Sequence, residues 1–252
     1  MIQEQFERTR LLLGTEAMER LAQSHVAVFG VGGVGGHAVE VLARSGVGAI
    51  TVVDSDRVSL SNMNRQIIAL LSTVGEYKVD VAERRIHDIN PDCRVTALRQ
   101  FYLPENADTI DLSQYDYVVD CVDTMKAKLE LIRRCKAQGV RIISSMGAAN
   151  KLDATSFRVS DIEATVNDPL ARIIRKRLRK EGISGLKVVW SDEGAYPQPL
   201  PKGGELQSPE PSPLPWGRAG SKLLPSNAFV PAAAGLIIGG EVVKDLCGTK
   251  NH

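Results

Sequence analysis

The stretch that most constrains the fold is residues 25–54, where a run of glycines separates two short apolar segments. Residues 26–29 are all apolar and lead directly into the sequence GVGGVGG at 30–36. Apolar residues then recur at a helical spacing between Val34 and Leu42, and residues 50–53 form a second apolar segment that ends at Asp54. This order predicts a strand, a glycine loop, a helix and a second strand.

The glycine loop has the pattern of a nucleotide-binding turn. Gly30, Gly32 and Gly35 fit G-x-G-x-x-G, in which glycines permit a tight turn and let backbone N–H groups approach a phosphate at the positive end of a helix. Asp54 follows where a carboxylate holds a ribose hydroxyl in such folds. The alternative is a glycine turn that only packs helix on strand, but the flanking strand, helix and acid favour a nucleotide site.

The rest of the chain continues the alternation of strands and helices. The apolar patterns predict helices over 6–21, 78–90, 129–138, 170–180 and 229–246, and further strands at 95–98, 115–123, 140–144, 154–159 and 187–190. We therefore predict an α/β fold, a Rossmann-like doubly wound and mostly parallel sheet with a C-terminal α/β extension. One domain, 1–252, would hold an N-terminal helical segment (1–25), a nucleotide-binding core (26–150) and the extension (151–252). Seven of the twelve prolines fall in 197–215, which predicts an extended or mobile loop.

Charge and cysteine usage narrow the class of protein. The net charge of +1 gives no overall attraction to nucleic acid or membrane, so a polyanion would need a local patch. Four scattered cysteines without a C-x-x-C pair argue against a zinc knuckle, a redox pair or a disulfide framework and fit a reduced, cytoplasmic setting. The polar start, MIQEQFERTR, predicts no signal peptide. The apolar run 228–240 is short for a bilayer and is expected to be a core helix.

Cations and acids near the glycine loop distinguish ATP from a redox dinucleotide. A polar stretch at 61–66 includes Arg65, and Lys78 follows it. Cleavage of a triphosphate needs cations and a metal around the phosphates, whereas a dehydrogenase needs little charge beyond the helix terminus. Arg65 and Lys78 can supply the cations, and Asp120 with Asp123 the oxygen ligands that Mg²⁺ prefers. The combination favours ATP.

A second feature is the strongly basic helix predicted at 170–180. Its apolar face is expected to contain Leu170, Ile173, Ile174 and Leu178. Its other face would carry six cations, Arg172, Arg175, Lys176, Arg177, Arg179 and Lys180. A solvated helix face is the ordinary explanation of such a run, and binding of a polyanion is the other.

These motifs together resemble the ubiquitin-activating-enzyme (ThiF/MoeB/HesA) superfamily of carboxylate-adenylating proteins. The resemblance rests on GVGGVG at 30–35, the acid at 54, the box SNMNRQ at 61–66, Lys78, and Cys121-x-Asp123. Within the superfamily, the sequences DPLA at 168–171, VVWSDE at 188–193 and Tyr196-Pro197 look like the tRNA threonylcarbamoyladenosine dehydratases. The resemblance covers nearly the whole chain.

The resemblance implies a role for each matching residue. It places Gly30, Gly32 and Gly33 at the ATP phosphates and Asp54 at the ribose. It assigns triphosphate contacts to Asn62, Asn64, Arg65 and Lys78, and a Mg²⁺ ion to Asp123. Arg8, with Arg10 as the alternative, matches an arginine that crosses a homodimer interface to the neighbour's ATP. The dehydratases are also associated with a bound Na⁺ or K⁺ ion.

The activity that the resemblance implies is ATP-dependent dehydration of threonylcarbamoyladenosine in tRNA, with the basic helix facing the tRNA. The residues after Ser144 offer no zinc C-x-x-C pair and no reactive cysteine, so thioester chemistry is not expected. Three alternatives remain open: adenylation of the C-terminus of a small sulfur-carrier protein, a nicotinamide oxidoreductase, and a non-enzymatic scaffold, for example in a cysteine desulfurase system. An oxidoreductase or a scaffold would have no use for Arg65, Lys78 and Asp123, which disfavours both.

Overall fold

The computed structural model describes residues 4–194 and 224–248. The predicted proline-rich loop 197–215 and the Tyr196-Pro197 motif lie outside the described residues. The helices are α1 (Glu7–Leu13), α2 (Thr15–Gln23), α3 (Gly35–Arg44), α4 (Lys78–Ile89), α5 (Met125–Gln138), α6 (Pro169–Lys180) and α7 (Val230–Cys247). The strands are β1 (His25–Phe29), β2 (Ala49–Val53), β3 (Arg94–Leu98), β4 (Tyr117–Asp120), β5 (Arg141–Ser145), β6 (Phe157–Asp161) and β7 (Lys187–Ser191).

The strands described form one mostly parallel sheet. Their order is β3-β2-β1-β4-β5-β7-β6, and only the pairing of β6 with β7 is antiparallel. The chain moves outward from β1 to β3 and then returns to place β4 on the other side of β1. This reversal opens a crevice at the carboxyl ends of β1 and β4, where ligands bind in doubly wound folds. The predicted fold class is confirmed.

Alternating side chains on the strands build a core on each face of the sheet. On β1, Val26 and Val28 join the apolar cluster that includes α2, α3, α4 and α7. Ala27 and Phe29 point the other way, into the cluster formed with α5 and α6. The period of two along a strand thus produces three layers, helices, sheet and helices.

Helix α7 packs closely against α3 and holds its N-terminal turn near the glycine loop. A Cβ atom on Gly235 would lie 2.2 Å from the carbonyl oxygen of Val34, and one on Gly239 would lie 2.5 Å from Cβ of Val41. Only glycine permits this approach. The predicted core helix at the C-terminal apolar run is confirmed, and within residues 4–194 and 224–248 no helix is long and apolar enough to cross a membrane.

Three local predictions are wrong. The N-terminal helix is two helices, because Gly14 adopts φ +84° and ends α1, a conformation that other residues rarely take. Residues 154–156 form a 3₁₀ turn, so β6 begins at Phe157. Ile173 is exposed on α6, and Ala171 takes the expected place in the core with Ile174 and Leu178.

Candidate nucleotide and RNA site

The glycine loop lies in the crevice between β1 and β4, and its shape depends on glycine at two positions. Gly30 has φ +88°, and a Cβ there would lie 2.7 Å from the carbonyl oxygen of Cys121. A Cβ on Gly35 would lie 1.8 Å from the carbonyl oxygen of Gly30. The loop therefore turns tightly over the end of β4 and delivers the N-terminus of the ten-residue helix α3 to the crevice. The N–H groups of Gly36, His37 and Ala38 bond to carbonyl oxygens of Gly32 and Val34 within this turn, and the positive end of the helix dipole favours an anion beside it.

Asp54 holds the glycine loop as well as standing at the predicted ribose position. Its Oδ2 accepts a hydrogen bond from the backbone N–H of Val31 at 2.7 Å, and its Oδ1 accepts one from Asp56 N–H at 2.8 Å. Burial raises the pKa of the Asp54 carboxyl, while the nearby charge of Lys78 lowers it. The carboxylate therefore links the end of β2 to the loop, and its contact with a ribose stays a prediction.

Lys78 is the first residue of α4 and reaches the same edge of the crevice. Its side chain is almost fully buried, and Nζ lies 2.8 Å from Oδ2 of Asp56. Sequence reasoning did not identify Asp56. Its position two residues after the ribose acid, at the end of a buried strand, was the available signal. The pair sets the ammonium group beside Asp54, where it can approach a bound phosphate.

The polar box at 61–66 folds as a 3₁₀ turn followed by a loop that touches the glycines. The side chain of Asn62 is buried, and its Oδ1 accepts a hydrogen bond from Ser59 N–H at 3.1 Å, so this residue caps the turn. Arg65 donates from Nη1 to the carbonyl oxygen of Ser61 (3.0 Å) and to Oδ1 of Asn64 (2.9 Å). A Cβ on Gly33 would lie 3.2 Å from Cγ of Arg65. The structure thus brings Arg65 directly to the loop.

The two acids at the carboxyl end of β4, Asp120 and Asp123, have different environments, and this corrects the expectation that both bind Mg²⁺. Asp120 is fully buried, and its Oδ2 lies 2.7 Å from Nζ of Lys128 and 2.5 Å from the hydroxyl of Ser144. These contacts occupy the carboxylate. Asp123 is exposed at the mouth of the crevice, and its Oδ1 accepts a hydrogen bond from the Thr124 hydroxyl at 3.1 Å. Among the described residues no group of three or more His, Cys, Asp or Glu side chains could hold a metal ion.

The cysteines have no features of thioester chemistry. All four are free, and burial raises the pKa of the Cys121 thiol, which adjoins Gly30, to about 12. The thiolate is the nucleophile, so a thiol with this pKa is inert near neutral pH. Burial likewise raises the pKa of Cys135 to about 12 and that of Cys93 to about 11.

Arg8 lies on α1, away from the glycine loop of its own chain. Phe6, two residues earlier, packs beside Gly46, which follows the C-terminal end of α3, whereas the glycine loop lies at the N-terminal end. Arg10 is engaged by Glu7, with N–O distances of 3.0 and 2.5 Å. Arg8 is exposed, so of the two arginines it is the one placed to extend outward.

The basic helix α6 begins as predicted but presents fewer free cations. Asp168 caps it by accepting a hydrogen bond from Ala171 N–H at 2.9 Å. Arg175 turns inward and donates to the carbonyl oxygen and hydroxyl of Thr165, and Arg179 pairs with Glu163 at 3.1 Å. The remaining cations are exposed, namely Arg172, Lys176, Arg177 and Lys180. Arg175 therefore attaches α6 to the segment that contains Thr165 and does not belong to the exposed face of the helix.

The sequence analysis predicted a helix from 229 but did not place at the site the segment that enters α7, residues 225–231, which we call the rim segment. Asn227 accepts hydrogen bonds from Phe229 N–H (3.2 Å) and Val230 N–H (2.8 Å), and Pro231 occupies the first turn of α7. A Cβ on Gly33 would lie 3.2 Å from Cβ of Pro231. An Asn shortly before a Pro and an apolar helix is a recognisable helix start, which was the available signal.

Comparisons with known proteins agree with this geometry. The model of the ThiF family matches residues 6–252. The chain is 48% identical over 244 residues to the tRNA threonylcarbamoyladenosine dehydratase of Bacillus subtilis, covering 96% of this chain and 94% of that protein. Crystal structures of the E. coli tRNA N6-threonylcarbamoyladenosine dehydratase are also similar at 32% identity, covering 98% of this chain and 97% of theirs. The complex with AMP has a TM-score of 0.84 and the complex with ATP one of 0.82.

Proposed function

The chain belongs to the ThiF family, and within that family we propose that it is an enzyme that dehydrates threonylcarbamoyladenosine in tRNA at the expense of ATP. The observation that carries the proposal is the convergence of the glycine loop, Arg65, Lys78 and Asp123 on one crevice, in a chain aligned over nearly its whole length with dehydratases. That alignment favours the dehydratase over the second candidate, adenylation of a sulfur-carrier protein.

The threonyl carboxylate must be activated before ring closure, because oxide is a poor leaving group. The threonyl carboxylate attacks the α-phosphorus of ATP, pyrophosphate leaves, and the carbonyl becomes an acyl-adenylate. The urea nitrogen then attacks this carbonyl, loses its proton and expels AMP, which closes a hydantoin ring. The second step is intramolecular and has the advantage of proximity. The net change is the loss of one water from the nucleoside while ATP becomes AMP and pyrophosphate.

The protein groups act as electrostatic clamps. The N-terminus of α3 and the ammonium group of Lys78, paired with Asp56, would face the phosphates. Arg65, whose Cγ adjoins Gly33, would stabilise the charge that develops on the triphosphate. One exposed carboxylate, Asp123, suits Mg²⁺, which binds through one or two carboxylates together with substrate phosphates. The ion would neutralise phosphate charge. We place no monovalent ion on particular residues.

The proposal also includes a second copy of the chain and a tRNA partner. Arg8 would reach the nucleotide of a second copy of the chain, because α1 lies at the far end of α3 from its own glycine loop. The exposed cations of α6 would contact tRNA phosphates. A link to a cysteine desulfurase system belongs to the scaffold alternative and draws no support from the described residues.

The activity is tested by mass spectrometry of nucleosides. Threonylcarbamoylated tRNA is incubated with the protein, ATP and Mg²⁺ and then digested gently enough to preserve a hydantoin. ATP-dependent loss of one water from threonylcarbamoyladenosine is expected. An unchanged nucleoside, together with pyrophosphate exchange that depends on a sulfur-carrier protein, would establish the second candidate instead.

Asp123→Asn is expected to weaken magnesium-dependent adenylation. A metal ion contributes several kcal/mol to such steps, so removing its carboxylate should reduce the rate by more than about tenfold and shift the Mg²⁺ titration to higher concentration. Pyrophosphate release at varied Mg²⁺ measures both. Asp88→Asn, an exposed acid at the opposite end of α4 from Lys78, is the control. An unchanged titration for Asp123→Asn would remove Asp123 from the metal site.

Reversing the exposed cations of α6 is expected to weaken tRNA binding. The triple variant Arg172→Glu, Lys176→Glu, Lys180→Glu leaves the inward Arg175 intact, so the helix should stay folded. Cations that bind phosphates give a salt-dependent affinity, and the slope of log affinity against log salt should become shallower by about 0.7–0.9 for each phosphate that is no longer neutralised. Filter binding at several salt concentrations measures this slope, with ATP binding expected to be unchanged.

The matched control keeps the charge and changes the side chains, as Arg172→Lys, Lys176→Arg, Lys180→Arg. It should retain the affinity and the slope. If the charge-reversed protein binds tRNA as well as the control does, the face of α6 is only solvated surface.

A further inference from the structure

The rim segment is fastened across the mouth of the crevice at both of its sides. Asn64 donates from Nδ2 to the carbonyl oxygen of Ser226 at 3.1 Å, which joins the segment to the box that contains Arg65. On the other side, Asn227 donates from Nδ2 to the carbonyl oxygen of Lys151 at 2.8 Å, and Asn150 N–H donates to the carbonyl oxygen of Pro225 at 2.8 Å. The segment thus bridges the phosphate-binding box and the loop that follows β5.

Phe229 lies in the rim segment. Its backbone is held by hydrogen bonds, and its side chain is exposed to solvent. Its N–H is bound by Asn227, and its carbonyl oxygen accepts from Ala233 N–H at 2.9 Å, in the first turn of α7. Its exposed fraction is 51%, whereas Phe6 and Phe29 are buried in the core. A large apolar ring held rigidly at the edge of a site exposes a flat surface at little further cost in conformational entropy.

The segment that carries Phe229 adjoins the glycine loop on the side of Gly33 and Arg65. Pro231, two residues further on, adjoins Gly33 and the Arg65 side chain, whereas the ribose acid Asp54 contacts Val31 at the other end of the loop. A group stacked on Phe229 would therefore sit near the phosphates that react and away from the adenosine half of ATP. This is where the second substrate must bring its carboxylate.

We propose that Phe229 is the stacking surface for the adenine base that carries the threonylcarbamoyl group. The inference rests on the proposed function. In that nucleoside only the carbamoyl group and the threonyl α-carbon separate the base nitrogen from the carboxylate, so a carboxylate at the α-phosphate brings the base to the rim. Proteins recognise single-stranded RNA by stacking splayed bases on aromatic rings. Phe229 would hold the base while the glycine loop and Arg65 hold the nucleotide.

The experiment compares the steady-state kinetics of the wild type with those of Phe229→Ala, Phe229→Trp and Leu236→Ala. The substrate is a threonylcarbamoylated anticodon stem-loop. Leu236 is a comparably exposed apolar residue of α7, the helix that follows Phe229, and at 50% exposed it controls for removal of apolar surface near this end of the chain. Removal of a stacking ring costs on the order of 1–3 kcal/mol per base, so the KM for the RNA should rise roughly 5- to 150-fold in Phe229→Ala. The KM for ATP and the melting temperature should stay the same, and Phe229→Trp should keep a low KM for the RNA.

Phe229→Trp adds a direct signal, because a base stacked on the indole should quench its fluorescence when the RNA is added without ATP. An unchanged KM for the RNA in Phe229→Ala would overturn the proposal. So would an equal rise in the KM for ATP, which would place the ring against the ATP base, or an equal effect of Leu236→Ala. If the wild-type protein shows no ATP-dependent loss of water from the nucleoside, the proposed function fails, and with it the stacking role; an active wild type with an unaffected Phe229→Ala defeats the stacking role alone.

Discussion

Arg65→Ala is expected to reduce the rate of ATP-dependent dehydration by roughly 10²–10³, the usual cost of one electrostatic donor in a preorganised site. Arg65 is positioned by hydrogen bonds to Ser61 and Asn64, and its Cγ adjoins Gly33, so we expect its charge to stabilise the triphosphate. Single-turnover formation of AMP measures the decrease. The melting temperature should stay close to that of the wild type, since the guanidinium bonds to Ser61 and Asn64, which are surface groups.

The control for this variant is Arg94→Ala. Arg94 is an exposed arginine at the start of β3, the end of the sheet opposite the crevice. Its removal should leave turnover unchanged. Near-normal turnover by a folded Arg65→Ala protein would remove Arg65 from the reaction, and an equal decrease in both variants would indicate a general effect of charge.

The sequence predicted the central part of the fold because local and long-range signals agree there. The apolar strands, the glycine loop and helix α3 each have a distinct period, and all imply the same βαβ unit. The apolar pattern gave wrong helix bounds or core residues where a single residue had more effect than the periodicity. Gly14 interrupts an otherwise continuous helical stretch, because its positive φ depends on backbone geometry that periodicity does not contain. On α6, the choice of Ala171 over Ile173 for the core depends on how the helix is rotated against Ile162.

The site was predicted less completely because its residues come from distant parts of the chain. Arg65 and Lys78 were predicted from residue type and position. The structure brings Arg65 beside Gly33 and pairs Lys78 with Asp56, and their contacts with ATP stay a prediction. The difference between Asp120 and Asp123 was not predictable, since it depends on a lysine from α5 and a serine from β5. The rim segment needed the tertiary contact of Asn64 with Ser226, 162 positions further along the chain.

Removing the cation of the buried Asp120–Lys128 pair is expected to lower the free energy of unfolding substantially. Both side chains are at most 1% exposed, with Lys128 Nζ 2.7 Å from Asp120, 3.2 Å from the Ser144 hydroxyl and 3.0 Å from the Ser145 carbonyl oxygen. Lys128→Met leaves a carboxylate buried without its cation. Removing one partner of such a pair costs about 3–5 kcal/mol, so the free energy of unfolding should fall by that amount. Urea denaturation measures it.

Two further variants separate the ion pair from simple changes of shape. Lys126→Met, exposed on the same helix, should change the free energy of unfolding by no more than about 0.5 kcal/mol. The double variant Asp120→Leu, Lys128→Met should lose less stability than Lys128→Met alone, because apolar groups replacing both partners leave no buried charge. Asp120 also accepts a hydrogen bond from Val122 N–H at 3.2 Å and so supports the turn that presents Asp123. A double variant that is stable but slow in adenylation would show that the buried pair is retained for the shape of this turn, whereas a single variant that loses less than about 1 kcal/mol would contradict the cost assigned to the unpaired carboxylate.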